Sequence, residues 1–312
     1  MVKYLILAFF CLFNKGLFSQ IQKDTSYTVL STFNKEKVKF PFIKVVQEKN
    51  KDKVLSLKDL VFKNTDSRAF YLDAYYKIQD SLQPVVLLIH GGGWKSGDKS
   101  QMQFLAQEIA SKGYACFNIE YRLSDEAKYP AAVIDVKTAI KYIKANASKF
   151  NIDINKVAVL GCSSGGQMAA LIGTTNGNEL FEEQTNFKQN SNVQAIVNID
   201  GILAFHHQES KEGKVAALWL DGTYEENPQN WNEASALTHC NENTPPILFI
   251  NSDMPRFHAG RDDMIAILSK FGIYTEIKTI THSPHSFWFF HPWFDEIVNS
   301  TTQFLDKILK QK

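Results

Sequence analysis

Val157-Ala-Val-Leu-Gly161-Cys-Ser163-Ser-Gly165-Gly166-Gln-Met-Ala-Ala-Leu171 decides how the rest of the chain is read. Four apolar residues run into Gly-x-Ser-x-Gly, and a helix-forming run follows at once. The spacing predicts a strand, a tight turn and a helix, with Ser163 at the apex. A turn this sharp holds its central residue in strained backbone angles and requires small neighbours, which Gly161, Ser164, Gly165 and Gly166 supply. The Ser163 hydroxyl then projects from the sheet edge at a helix N-terminus, where backbone N–H groups stabilise an anion. Such a motif has little meaning alone, so the remaining parts must be sought elsewhere.

Working outward, strands alternate with helices. Pro84–Ile89 is a continuous apolar run suited to a strand buried on both faces, and it ends in His90-Gly-Gly-Gly-Trp94. A helix over Gln101–Lys112 stops at Gly113, and a strand over Tyr114–Tyr121 follows. Pro130 opens an amphipathic helix reaching about Phe150. Beyond the elbow come strands at Val193–Ile199 and Pro246–Ile250, a helix over Arg261–Phe271 and a strand over Tyr274–Ile280. Pro292–Leu309 reads as a closing helix. Earlier, Asp59–Phe62 and Arg68–Tyr76 alternate as strands do, and strands are expected near Tyr27–Phe33 and Val38–Val46. The fold class is therefore α/β, a mostly parallel sheet covered by helices on both faces. Residues 202–245 break the rhythm. They read as a long polar segment over the strand ends near Ser163, a lid or an insertion.

Composition narrows the class. With 44% apolar and 21% charged residues in 312, the chain reads as one soluble globular domain. A formal net charge of +1 excludes the basic excess expected of a nucleic-acid binder. At the N-terminus, Lys3 precedes the apolar run Tyr4–Phe13, and Ser19 is a small residue near its end. Residues 1–19 therefore read as a secretory signal peptide, too short an apolar run to span a bilayer, which leaves 20–312 as the domain and a secreted or periplasmic location. Cys116, Cys162 and Cys240 remain after that segment. Three cysteines make neither a disulfide framework nor a zinc site, and Cys116 and Cys162 read as small buried residues.

Acyl transfer needs an activated hydroxyl, a base, an orienting acid and donors for the oxyanion. Ser163 is the nucleophile. The donors are the N–H groups of Gly91, Gly92 and Ser164. The base must be a His beyond the last strand, and in His282-Ser-Pro-His285 it is assigned to His285 ahead of His282. The acid is assigned to Asp253, just past the Ile247–Ile250 strand, with Asp262, Asp263 and, more remotely, Asp200 as rivals. Asp262 and Asp263 also suit a helix N-terminus. Trp94, Arg256, His258 and Trp288 are candidate substrate contacts, with Phe287–Phe290 and Trp293 as a sugar-stacking wall. Arg122 and Asp135 read as a buried ionic support. His206-His207 lacks partner spacing for a metal, so none is expected.

Together these residues resemble the α/β-hydrolase superfamily, and more narrowly the secreted bacterial carbohydrate-esterase and feruloyl-esterase-like group related to the hormone-sensitive-lipase-type esterases. The resemblance runs from about Pro84 to Phe287. It is most specific in His90-Gly-Gly-Gly-Trp-Lys-Ser-Gly-Asp98, Tyr121-Arg-Leu-Ser124, Pro130-Ala-Ala-Val-Ile-Asp135 and Gly161–Gly166. It implies an eight-stranded sheet, the chain order Ser–Asp–His, and ester hydrolysis without a cofactor. Acetylated plant polysaccharides such as xylan or pectin are the implied substrates. Two departures stand out. Cys162 occupies a position where the group usually has Asp, and Asn251-Ser-Asp253 is shorter than the usual Gly-x-x-Asp turn.

Overall fold

In the computed structural model, which describes residues 24, 26–49 and 54–310, the elbow strand lies at the centre of an eight-stranded sheet. The strands are β2 (Leu55–Asn64), β3 (Ala69–Tyr76), β4 (Gln83–Ile89), β5 (Ala115–Ile119), β6 (Ile152–Cys162), β7 (Ala195–Ile199), β8 (Ile247–Ser252) and β9 (Thr275–Ile280). Their spatial order is β2-β3-β5-β4-β6-β7-β8-β9. The first two are antiparallel to their neighbours, and every pairing from β5 to β9 is parallel. All parallel strands therefore end at one edge. Ser163, Asp200 and Asp253 all follow strands at that edge.

Alternation along each strand divides the core in two. Val85, Leu87, Ile89, Val157 and Val159 face one layer, packed with α3 (Ala131–Ala145) and α5 (Ser164–Thr174). Val86, Leu88, Ala158, Leu160 and Cys162 face the other, packed with α2 (Gln103–Ser111) and α9 (Phe294–Leu309). A strand apolar on both faces must be covered on both, which is why β4 to β7 sit at the middle of the order. Burial pushes the Cys116 and Cys162 thiols well up from their ordinary values, so both are packing groups rather than nucleophiles.

Three expectations need correction. Tyr27–Phe33 is not a strand: α1 occupies Val29–Glu36 and opens with a capping box in which Thr28 and Ser31 satisfy each other's backbone N–H. Of Val38–Val46 only β1 (Lys44–Val45) is extended, pairing with β10 (Phe290–His291). Residues 202–245 are not an open polar loop. They hold α6 (Gly213–Leu220) and α7 (Pro228–Glu233), pinned by the buried Phe205, Trp219 and Trp231. The remaining helix, α4 (Ala147–Phe150), continues α3, and α8 (Arg261–Lys270) precedes β9. The segment read as a signal peptide lies outside the described residues.

Candidate active site

Ser163 stands between β6 and α5 with φ 55° and ψ −122°, the strained apex that the elbow spacing requires. Its backbone is held from both sides: its N–H donates to Ile199 O at 2.8 Å, and its carbonyl accepts the Gln167 N–H at 3.0 Å. The Gly91 backbone is packed against this apex. A Cβ on Gly91 would lie 2.9 Å from Cys162 O and 3.1 Å from Ser163 Cβ, so only glycine lets the β4 loop come so near. Ser164 is the first residue of α5, and its N–H is among those a helix leaves without an internal acceptor. Gly91 and Ser164 thus bring backbone beside Ser163, whereas the nearest neighbours of Gly92 are Ser96 and Gly97.

His285 Nε2 lies 2.8 Å from Ser163 Oγ, and His285 Nδ1 lies 3.0 Å from Asp200 Oδ2. Asp200 is buried at the end of β7 with φ 46°, and its other oxygen accepts the Ser252 N–H at 2.8 Å. The acid assignment to Asp253 is therefore corrected. Asp253 is exposed and accepts the His282 N–H at 2.7 Å, so it holds the backbone of the loop that carries His285. Asp262 is taken by Arg261 at 2.8 Å and Asp263 by His207 at 3.2 Å. The displacement by one strand has a geometric cause: β7 and β8 are parallel neighbours, Ile199 opposite Ile250, so the turns after both reach the same histidine loop. The signal available in the sequence was Asn198-Ile199-Asp200-Gly201, a carboxylate closing an apolar strand just before a glycine. A Cβ on Gly201 would lie 2.3 Å from Gln167 N, so glycine there admits the Asp200 turn against α5.

The flanking residues fix the imidazole. Phe257 stacks on His285 with ring centroids 3.5 Å apart and planes 11° apart, and Trp288 meets it edge-on at 5.3 Å. The Arg256 guanidinium lies 4.5 Å from the Phe257 ring centroid and donates to Glu212 at 3.2 Å. Truncating Phe257 to Ala removes a stacked partner worth about 0.5–1.5 kcal/mol and frees the imidazole to rotate. The expected result is a roughly 3- to 10-fold fall in kcat with a smaller change in KM, read by steady-state kinetics.

The four candidate substrate contacts divide. Trp94 lines a small cavity beside Ser163, together with Ile202, Glu212 and Phe257. Its indole N–H donates to Gln167 at 2.8 Å, and its ring stacks on Trp219 at 5.2 Å. Arg256 has its charge matched by Glu212. His258 is buried, and burial with the nearby Arg261 guanidinium lowers its pKa. Trp288 is 2% exposed among Phe287, Phe289 and Phe290, so the expected sugar-stacking wall is core instead. An aromatic run that closes a hydrophobic layer cannot also present its faces to a ligand. The Arg122–Asp135 support is present as a bidentate pair, joined by Lys63 at 2.8 Å. Among the described residues no cluster of His, Cys, Asp and Glu could hold a metal, and no helix is long and apolar enough to cross a membrane.

The BD-FAE family model matches residues 72–257, more than half of the chain. The chain belongs to the BD-FAE family. The match begins in β3 and ends at Phe257, so it includes the elbow and Asp200 and stops before His285. Esterase LipC of Mycobacterium tuberculosis is 28% identical over 206 residues, which cover 64% of this chain and 49% of LipC. LipM of the same organism, named as a carboxylic ester hydrolase, is 27% identical over 70% of this chain and 51% of its own. The chain thus spans about half the length of the curated relatives it matches. A truncated carbohydrate esterase from gut microbiota superposes with a TM-score of 0.71 at 23% identity, covering 86% of this chain and all of that one. An acetyl ester-xyloside bifunctional hydrolase from Caldicellulosiruptor lactoaceticus gives 0.69 at 19% identity over 80% and 96%. These likenesses establish the α/β-hydrolase fold of this BD-FAE member.

Proposed function

We propose that this BD-FAE member is a secreted serine esterase that removes acetyl groups from plant polysaccharides or oligosaccharides such as xylan or pectin. The observation that carries the reading is His285, bridging Ser163 Oγ at 2.8 Å and Asp200 Oδ2 at 3.0 Å. With Nδ1–H donated to the Asp200 carboxylate, Nε2 keeps its lone pair and accepts the Ser163 proton. Ser163 Oγ attacks the ester carbonyl, and the oxyanion lies against the N–H groups of Gly91, Gly92 and Ser164. The imidazolium gives its proton to the leaving alcohol, and an acetyl-serine remains. Water, deprotonated by His285, attacks that ester, and acetate leaves as Ser163 recovers its proton.

The small cavity supports a short acyl group. It measures about 20 Å³, and one water needs roughly 10–15 Å³ on the same measure. That space, beside Trp94, Ile202 and Phe257, favours a methyl over a longer chain. The relatives' names, esterase and carbohydrate esterase, favour the same chemistry. The expected outcome is acetate release from acetylated xylan or pectin, and kcat/KM at least about tenfold higher for p-nitrophenyl acetate than for the octanoate. Cleavage of octanoate as fast as acetate would replace the acetyl reading with a general carboxylesterase. A chain that no fluorophosphonate probe labels at Ser163 would overturn the serine mechanism.

A further inference from the structure

An ester has two sides, and the cavity at Ser163 has room for only the smaller. Glu212 forms one wall of that cavity and is also part of the lining of a second, wider cleft of about 480 Å³. That volume falls within the range of small-molecule binding sites. The cleft is built entirely by residues between Phe205 and Trp231, which no step of the mechanism above uses.

We propose that this cleft is the subsite for the alcohol part of the ester, and that it takes a pyranose residue next to the acetylated position. Its floor is closed by the buried Phe205 and Trp231, which meet edge to face at 6.0 Å and support the rings above them. The Trp231 indole N–H donates to Gly222 O at 2.9 Å, which fixes the ring in place. Tyr224 and His206 form a stacked plate with planes 4° apart and centroids 3.6 Å apart, and the imidazole side is exposed. Flat rings beside hydroxyl groups suit a pyranose, whose C–H faces pack on aromatics while its hydroxyls take hydrogen bonds. Ser210 and Thr223 supply such groups on the rim.

This assignment rests on the carbohydrate-ester reading above, so the experiment separates the two. The full chain is assayed on acetylated xylo-oligosaccharides and on p-nitrophenyl acetate, which has no sugar to place. Tyr224→Ala and His206→Ala are expected to lower the ratio of the two kcat/KM values roughly five- to tenfold, the worth of one stacked face. Tyr224→Phe keeps the ring and is expected to restore the ratio. Equal losses on both substrates, or no loss on either, would overturn the subsite, and His206→Ala gives that answer even if Tyr224→Ala fails to fold. Wild-type protein that cleaves p-nitrophenyl acetate and releases no acetate from any oligosaccharide would overturn the carbohydrate reading, and the subsite with it.

Discussion

Replacing Asp200 by Asn is expected to lower kcat by about four orders of magnitude, the loss a triad suffers when its histidine is held in the wrong tautomer. The orientation of the new amide is dictated by its surroundings. Asp200 Oδ1 accepts the Ser252 N–H at 2.8 Å, so the Asn carbonyl must take that place. The amide NH2 then faces His285 Nδ1, where Oδ2 now lies at 3.0 Å. A donor there forces the imidazole proton onto Nε2, against Ser163, and no base remains. Asp253→Asn is the comparison. Its carboxylate is exposed and only accepts the His282 N–H, which an Asn carbonyl also accepts, so a loss of no more than a few-fold is expected. Initial rates on p-nitrophenyl acetate separate the two. A collapse in Asp253→Asn with Asp200→Asn nearly intact would return the acid to the turn after β8.

That contrast shows what the sequence made legible and what it did not. Apolar runs that end in glycine or a small residue reveal where strands stop, because a parallel strand buried on both faces has no other composition available. The elbow, the Gly91–Gly92 loop and His285 were therefore readable from order and spacing. The acid was not, because β7 and β8 end side by side and a carboxylate after either strand reaches the same loop. Choosing between Asp200 and Asp253 depends on where two turns point, and local composition does not encode that. The aromatic run Phe287–Phe290 was misread for a related reason, since stacking walls and cores draw on the same residues. It lies under α1 and β1, two elements the sequence disguised: Tyr27 and Phe33 pack on Phe289 and Phe290. The 202–245 segment looked polar because its burial rests on a few large rings, Phe205, Trp219 and Trp231, spaced too far apart to make a periodic pattern.

Ser163→Ala and His285→Ala are each expected to lower kcat by roughly 10⁶-fold, and the double variant by no more than either alone. The equality follows from the geometry. Without Oγ the imidazole has no proton to take, and without the imidazole the hydroxyl keeps its own, so each deletion removes the same step. What survives in both is the backbone proposed to hold the oxyanion, which neither substitution touches. A residual rate above the uncatalysed reaction by about 10³- to 10⁴-fold is therefore expected to be common to all three variants. Folding does not confound the comparison at Ser163. The elbow is held by its backbone bonds to Ile199 and Gln167, and the side-chain partner of Oγ is His285. Rates on p-nitrophenyl acetate, with thermal melts to confirm matched stability, test this directly. Losses that multiply in the double variant would mean that Ser163 and His285 act in separate steps, and a Ser163→Ala protein retaining more than about a hundredth of wild-type activity would remove the acyl-serine from the reaction altogether.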